Sequence, residues 1–170
     1  IPREIPAALD ALAEHRTASL RLEVEGETPD RTEVIRLDPA EHLPAPIPAL
    51  RRPLFLAIIA SSLLANVLVK KASGRVDGFV IEGPTAGGHN APPRGEKTFN
   101  ERGEPLYGPR DVVDLDKVQQ LGLPFWLAGG FGRPGRLAEA LSAGAAGIQV
   151  GTLFAFCDES GLRDDIKRSI

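Results

Sequence analysis

From Pro53 onwards, short apolar runs alternate with segments of helical periodicity, and this alternation is the strongest constraint on the fold. The runs have the length and composition of strands covered on both faces, and they read LFLAIIA, DGFVIEG, PFWLAGG and AGIQVGT. Strands that alternate with helices form parallel sheets joined by right-handed crossovers. The sequence therefore predicts an α/β fold with about four parallel strands, half of a (β/α)8 TIM barrel, whose full length is typically about 250 residues.

Helical segments lie between these runs, and their ends carry capping residues. The segment after the first run begins with Ser61 and Ser62, either of which is suited to cap a helix N-terminus. The segment RPGRLAEALSAGA ends near Gly144, and glycine readily adopts the left-handed conformation that follows many helices. We therefore expect helices that begin and end at these residues.

Residues 1–50 have a different pattern and are expected to form a small segment that contains a hairpin. PAALDALAEH has apolar residues at helical spacing, whereas residues 19–26 and 32–37 have the composition of two short strands around a turn. Four prolines in LPAPIPALRRP disfavour a regular helix and indicate a linker. We place a boundary near Arg51, between this segment and a half-barrel of residues 51–170.

Composition and charge argue against several classes of partner. The chain of 170 residues is 42% hydrophobic, enough for one sizeable core, and carries a net charge of −3. Binding to nucleic acid or to an anionic membrane needs clustered Lys and Arg, which the sequence lacks. No apolar run reaches the roughly 18 residues of a membrane helix, and no signal peptide is recognisable, so we expect a cytoplasmic protein.

One cysteine and no methionine lead to further expectations. Cys157 has no second cysteine to pair with, so an internal disulfide cannot form. No set of His, Cys, Asp and Glu has the spacing of metal ligands, and we expect no bound metal. Because the chain starts at Ile1 and contains no methionine, we expect it to be a piece of a longer protein.

Three glycine-marked loops follow the predicted strands, where the functional residues of parallel α/β proteins gather. They read GPTAGGHN, AGGFGRPG and VGT. Gly129 and Gly130 would let the backbone approach an anion, while the helix after Gly151 and the hydroxyl of Thr152 would add donors. Together these features predict a phosphate site. Each also has a simpler interpretation, in which the glycines only end a strand or start a helix.

His89 is a candidate functional residue in the first of these loops. It follows Gly87 and Gly88 at a strand end, which favours a role in catalysis, although a solvated side chain is the alternative. The segment from residue 83 to 111 is longer than an ordinary connection and is typical of a functional lid. No nucleophile elbow of the form G-x-S-x-G is present, so a serine hydrolase is not indicated.

Three separated motifs occur in order between residues 53 and 165: DGFVIEGPTAGGHNAPPRG, LPFWLAGGFG and ALSAGAAGIQVGTLFAFCDESGL. Together they resemble the C-terminal half of the nitronate monooxygenase family, once called 2-nitropropane dioxygenases. Members of that family are FMN-dependent (β/α)8 barrels. The resemblance therefore implies a flavoenzyme that uses O2 to oxidise alkyl nitronates, and some nitroalkanes, to carbonyl compounds and nitrite.

The resemblance also implies roles for individual residues. His89 corresponds to the base that takes the α-proton of a neutral nitroalkane. The implied FMN-binding residues are Gly87, Gly88, Gly129, Gly130, Gln149, Val150, Gly151 and Thr152, the last four of them at the phosphate. Two positions depart from the family pattern, since Glu82 stands where many members have glutamine and Thr85 where they have glutamate.

Two other functions stay open. A flavin-dependent enoyl-acyl-carrier-protein reductase shares the barrel and a similar GGH motif, but it consumes a nicotinamide cofactor and a thioester. A half-barrel that binds no flavin would instead be a structural piece. Its four strands would leave sheet edges exposed, so such a piece is expected to form a homo-oligomer or to aggregate.

Overall fold

The computed structural model describes residues 3–22, 24, 33–87 and 90–169. Its elements in chain order are α1 (Ile5–Ala13), β1 (Ala18–Leu22), β2 (Glu33–Leu37), α2 (Pro39–His42), β3 (Leu56–Ile59), α3 (Ser62–Lys71), β4 (Gly78–Glu82), a 3-10 turn (Pro109–Asp111), α4 (Leu115–Gln119), β5 (Phe125–Ala128), α5 (Arg136–Ser142), β6 (Gly147–Gln149), α6 (Thr152–Ala155) and α7 (Asp164–Arg168). In this described part of the chain, none of the helices is long and apolar enough to cross a membrane. The elements fall into two compact units, Ile1–Ala57 with Asn66–Gly78, and Ile58–Ala65 with Phe79–Ile170.

The first unit contains α1 and the hairpin of β1 and β2, as the sequence predicts. The two strands pair antiparallel, with Ala18 opposite Leu37. The predicted turn at residues 27–31 lies outside the described residues. The sequence pattern did not predict the short helix α2, which begins at Pro39 directly after its N-cap Asp38. The Asp38 carboxylate accepts a hydrogen bond from the Ala40 N–H at 2.9 Å.

An ion-pair cluster joins distant parts of the first unit. Arg52 pairs with Asp10 and, at 2.5 Å, with Asp77. The side chains of Arg52 and Asp77 are 10% and 9% exposed, so water screens little of their attraction. Asp77 also accepts a hydrogen bond from the Phe55 N–H at 2.8 Å. The cluster therefore connects α1, the end of the proline-rich segment and the residues just before β4.

The second sheet has the strand order β3-β4-β5-β6. β4 pairs with β5, and β5 with β6, in parallel. Phe79, Val80 and Ile81 of β4 are all buried, which explains why this strand is a continuous apolar run rather than an alternating one. This order and this pairing confirm the predicted α/β fold and are consistent with half of a (β/α)8 barrel.

The helix ends agree with the capping signals in the sequence. At the start of α3, the Ser61 hydroxyl accepts a hydrogen bond from the Leu64 N–H at 3.0 Å. After α5, Gly144 has φ 81° and its N–H donates to the Leu141 carbonyl oxygen at 3.0 Å. Local chemistry of this kind involves residues only a few positions apart, so the sequence predicts it well.

Hydrogen bonds within the long segment after β4, and one from this segment to Ala60, stabilise its structure. Asp111 accepts hydrogen bonds from the N–H groups of Gly108 at 2.7 Å and Arg94 at 2.8 Å, and these two bonds lower the pKa of the Asp111 carboxyl. The Arg94 guanidinium donates to the Ala60 carbonyl oxygen at 2.6 Å. Arg94 therefore contributes to the structure of this segment, which leaves less of its hydrogen-bonding capacity for a ligand.

Candidate functional site

The carboxyl ends of three neighbouring strands lie in one row. Parallel pairing places Glu82 opposite Ala128, and Ala128 opposite Gln149, and each is the last residue of its strand. Neighbouring strands are about 4.8 Å apart, so the backbones of Glu82 and Gln149 are about 10 Å apart. The small side chain of Ala128 stands between two longer polar side chains, which leaves space above it.

A cavity of about 550 Å³ lies at this row. Ligand pockets typically measure about 300–1,000 Å³, so this cavity can hold a small molecule or a cofactor. Seven of the predicted site residues line it: Gly87, Gly129, Gly130, Gln149, Val150, Gly151 and Thr152. The other two, Gly88 and His89, lie outside the described residues. The structure therefore brings residues from all three glycine-marked loops to one place.

The cavity is also lined by residues that the sequence analysis did not assign to the site. They are Ala86, Ala128, Phe131, Gly132, Arg133, Leu153 and Phe156, together with Glu82 and Thr85, which it noted only as departures from a family pattern. All of them lie at a strand end or within seven residues after one, and this position is the signal by which they could have been found. Phe131 and Phe156 give part of the wall an apolar, aromatic character.

Gly129 and Gly130 bring two protein segments close together. Gly129 has φ 91°, and a Cβ placed on it would lie 2.8 Å from the backbone nitrogen of Ala86. Gly130 has φ 74°, and its Cβ would lie 3.3 Å from the Thr85 hydroxyl oxygen. The loop after β5 can therefore pass this close to the backbone of the loop after β4 because Gly129 lacks a side chain, and Gly130 leaves room for the Thr85 side chain. The sequence predicted that these glycines face an anion or end the strand, and gave no sign of this contact within the protein.

Gly87 and Gly151 have contrasting surroundings. A Cβ on Gly87 would lie 2.5 Å from the Thr152 hydroxyl oxygen, so the loop after β4 touches the first residue of α6. A Cβ on Gly151 would have no described atom within 4 Å. Because Gly151 also lines the cavity, a ligand can approach its backbone closely.

Two described lining residues are charged, Glu82 and Arg133. The half-buried Glu82 side chain makes no hydrogen bond or ion pair with a described residue, and neither does the side chain of the exposed Arg133. The described part of the lining therefore contributes one carboxylate and one guanidinium. Within the described ranges, no group of three or more His, Cys, Asp and Glu side chains is placed to hold a metal ion.

Replacing Gly129 with alanine is expected to destabilise the protein more than the matched replacement of Gly122. Both glycines have positive φ, 91° and 71°, and nothing lies within 4 Å of a Cβ on Gly122. Backbone strain should therefore cost each variant roughly 1–2 kcal/mol. The contact with Ala86 should lower the free energy of unfolding of Gly129→Ala by a further 1–3 kcal/mol or so. Urea denaturation measures both variants, and equal losses would contradict the close approach.

The fold and the site together define a parallel α/β protein with a cofactor-sized cavity at the carboxyl ends of its strands. A model of the family described as nitronate monooxygenase matches residues 11–170. The chain belongs to the nitronate monooxygenase family. The match confirms the resemblance carried by the three motifs and extends it over the N-terminal hairpin, for which the sequence analysis identified no family counterpart.

Curated relatives carry two kinds of name. A protein of Staphylococcus saprophyticus named probable nitronate monooxygenase is 30% identical over 118 residues, which are 68% of this chain and 31% of the relative. A Mycobacterium tuberculosis protein named (3aS,4S,5R,7aS)-5-hydroxy-7a-methyl-1-oxo-octahydro-1H-indene-4-carboxyl-CoA dehydrogenase is 32% identical over 111 residues, 65% of this chain and 28% of the relative. A Rhodococcus jostii protein with the same name is 32% identical over 112 residues, 66% of this chain and 28% of the relative. The matched region thus spans less than a third of these relatives.

Proposed function

We propose that this protein is an FMN-dependent nitronate monooxygenase, which uses O2 to oxidise alkyl nitronates, and some nitroalkanes, to carbonyl compounds and nitrite. One observation carries the proposal: three glycine-marked loops meet at a cavity of about 550 Å³ in a chain of this family. Its partners are then a small nitro compound and O2. Bound FMN would supply the redox chemistry by taking electrons from the substrate and passing them to O2.

The residues around the cavity fit both parts of FMN. Gly151 has open space beside its backbone, and Thr152, which has a hydroxyl donor, lines the same cavity, so both suit a phosphate. The aromatic side chains of Phe131 and Phe156 suit a flat ring system. The proposed phosphate contacts are Gln149, Val150, Gly151 and Thr152, and the proposed contacts to the rest of the flavin are Gly87, Gly88, Gly129 and Gly130.

His89 is the proposed general base. An imidazole nitrogen would take the α-proton of a neutral nitroalkane, whereas a nitronate arrives already deprotonated and needs no base. Two observations support this role. Gly87, two residues before His89, lines the cavity. Asn90, the residue after His89, donates hydrogen bonds to the carbonyl oxygens of Pro84 and Ala86, both at 3.0 Å, so the chain that follows His89 is tied to the loop after β4.

The proposal is tested on the whole protein in which this chain occurs. Purified protein should show the visible absorption of bound flavin and should release nitrite from propyl-1-nitronate in the presence of O2. Protein without flavin, or flavin-loaded protein that releases no nitrite, would contradict the proposal. Mass spectrometry of the released flavin distinguishes FMN from other flavins.

Replacing Gly151 with leucine is expected to weaken FMN binding with little effect on folding. The new side chain would enter the open space beside Gly151, where no described atom lies within 4 Å of the Cβ position. We expect the flavin dissociation constant to rise at least tenfold, or about 1.4 kcal/mol. Gly161→Leu is the matched control, because Gly161 also has open space around it but does not line the cavity. Flavin fluorescence titration of both variants measures the effect, and equal affinities would contradict the assignment.

A second candidate is a flavin-dependent oxidoreductase that acts on an acyl thioester. The names of the Mycobacterium tuberculosis and Rhodococcus jostii relatives, both carboxyl-CoA dehydrogenases, favour this candidate. The exposed guanidinium of Arg133 on the cavity lining suits the phosphates of a thioester carrier. Consumption of NAD(P)H with an enoyl thioester, in place of nitrite release from a nitronate, would favour this candidate over the first.

A further inference from the structure

Glu82 occupies a distinctive place between two cavities. It ends β4 in the row with Ala128 and Gln149, and it lines the cavity of about 550 Å³. It also lines a second, small cavity of about 30 Å³ beneath the long segment after β4, and it is the one described residue common to both. Its side chain is half-buried.

The other polar side chains of the small cavity are engaged elsewhere. Arg94 donates to the Ala60 carbonyl oxygen at 2.6 Å, and the Tyr107 hydroxyl donates to the Ala91 carbonyl oxygen at 3.1 Å. The remaining two are Asn90, which donates to the carbonyl oxygens of Pro84 and Ala86, and Asp111, which accepts from the N–H groups of Gly108 and Arg94. No described residue donates a hydrogen bond to the Glu82 carboxylate.

A half-buried carboxylate without a partner among the described residues affects what can bind beside it. Partial burial reduces screening by water, so a second negative charge nearby is repelled more strongly than it would be at an exposed surface. A cation or a hydrogen-bond donor would instead satisfy the carboxylate. The opposite charge on the cavity lining, Arg133, is exposed and therefore better screened. Of the two described charges on the cavity lining, Glu82 should thus have the larger effect on what binds.

We propose that Glu82 is a specificity-determining residue that favours substrates with a cationic or hydrogen-bond-donating group and disfavours those with an additional anionic group. This inference rests on the proposed function, because it concerns the substrate class of the same cavity. Among small nitro compounds, those with an amino or hydroxyl group are preferred over those with a carboxylate. The residue acts through charge complementarity, which governs specificity more than total affinity.

The test compares three probes of similar size that differ in charge: 3-nitropropan-1-amine, 3-nitropropan-1-ol and 3-nitropropionate. Isothermal titration calorimetry under anaerobic conditions gives the dissociation constant of each for the flavin-loaded whole protein. We expect the ammonium probe to bind at least about tenfold more tightly than the carboxylate probe. In Glu82→Gln, which keeps the shape but removes the charge, most of this preference should disappear. Nitrite release should show the same order in kcat/KM.

Glu101→Gln is the matched control, since Glu101 is exposed and lines neither cavity. It removes the same charge from the chain and should leave the preference unchanged. If Glu82→Gln does not fold, the order of the probes in the wild-type protein and in Glu82→Asp still decides the question. The inference would be overturned if the wild-type protein bound the ammonium probe less than about tenfold more tightly than the carboxylate probe, or if this preference survived in Glu82→Gln. Absence of flavin, or of nitrite release from propyl-1-nitronate, would instead count against the proposed function.

Discussion

Replacing His89 with asparagine is expected to lower kcat/KM for neutral nitroethane by about 100-fold or more, because general bases typically contribute about 10²–10⁴-fold to proton transfer. The same variant should retain most of its activity on ethyl nitronate. The nitronate has already lost the α-proton, so the step that His89 is proposed to assist is absent. Nitrite release measured with each substrate, at one pH and one O2 concentration, yields the two values.

The ratio of the two losses in kcat/KM, for nitroethane and for ethyl nitronate, distinguishes a general base from a residue with only a structural role. Damage to the fold or to the flavin site would lower activity on both substrates alike, so equal losses would refute the assignment of His89. His42→Asn is the matched control, because His42 is exposed and lies outside the unit that contains the cavity. This control should leave both kcat/KM values unchanged. The flavin content of each variant, read from its visible spectrum, corrects for lost cofactor.

Replacing Arg52 with methionine is expected to lower the free energy of unfolding by about 3 kcal/mol. The variant would remove the guanidinium that Asp10 and Asp77 share. Arg75, which pairs with Asp77 at 2.7 Å, is 61% exposed and should compensate only in part for a carboxylate that is 9% exposed. Arg16→Met is the matched control, since Arg16 pairs with Glu14 where both side chains are more than 60% exposed. That pair should contribute about 0.5 kcal/mol or less. Urea denaturation followed by circular dichroism measures both variants, and similar losses would contradict a special role for the Arg52 cluster.

The same cluster predicts how stability depends on pH. Burial alone would raise the pKa values of the Asp10 and Asp77 carboxyls, but the hydrogen bonds that they accept and the charge of Arg52 outweigh this effect and lower both. A carboxyl whose pKa is lower in the folded state stabilises the protein above its unfolded-state pKa of about 3.9. This stabilisation is lost as the pH falls from about 4 through the folded-state pKa values.

Arg52→Met should therefore make the pH dependence of stability shallower below about pH 4, since the variant carboxyls lose the charge and hydrogen bonds of Arg52 and keep only the backbone hydrogen bonds and the charge of Arg75. Denaturation midpoints between about pH 3 and pH 7 test this expectation. If the plots of denaturation midpoint against pH had the same shape for the wild-type protein and for Arg52→Met, other carboxyls would dominate acid unfolding.

Much of the fold could be predicted because its determinants are local. Ser61 and Leu64 are three residues apart, and Gly144 ends α5 through a bond to Leu141. The apolar run of β4 predicts burial on both faces, and Phe79, Val80 and Ile81 are buried. By contrast, nothing near Arg52 in the sequence indicates its partners, which are 42 and 25 residues away at Asp10 and Asp77.

The sequence predicted which loops would lie near one another, and the structure shows that described residues of all three line one cavity. The glycine loops were found from the sequence because strand ends in parallel sheets converge. The contacts that these loops make with one another could not be predicted from the sequence. Gly129 lies against Ala86, and Gly87 lies against Thr152, so these glycines serve contacts between loops that are distant in sequence. Arg133 gives no sequence signal beyond its place after a strand, and only the cavity lining identifies it.

By itself, the sequence determined the alternation of strands and helices, the helix caps, the glycine-marked strand ends and the resemblance that leads to the nitronate monooxygenase family. These features depend on residues close together in the chain or on motifs that can be read in order. The tertiary structure decided which loops touch, and that Glu82 stands without a described partner in a row with Ala128 and Gln149. Strand register and packing across loops join residues far apart in the chain, and no local pattern encodes such pairings.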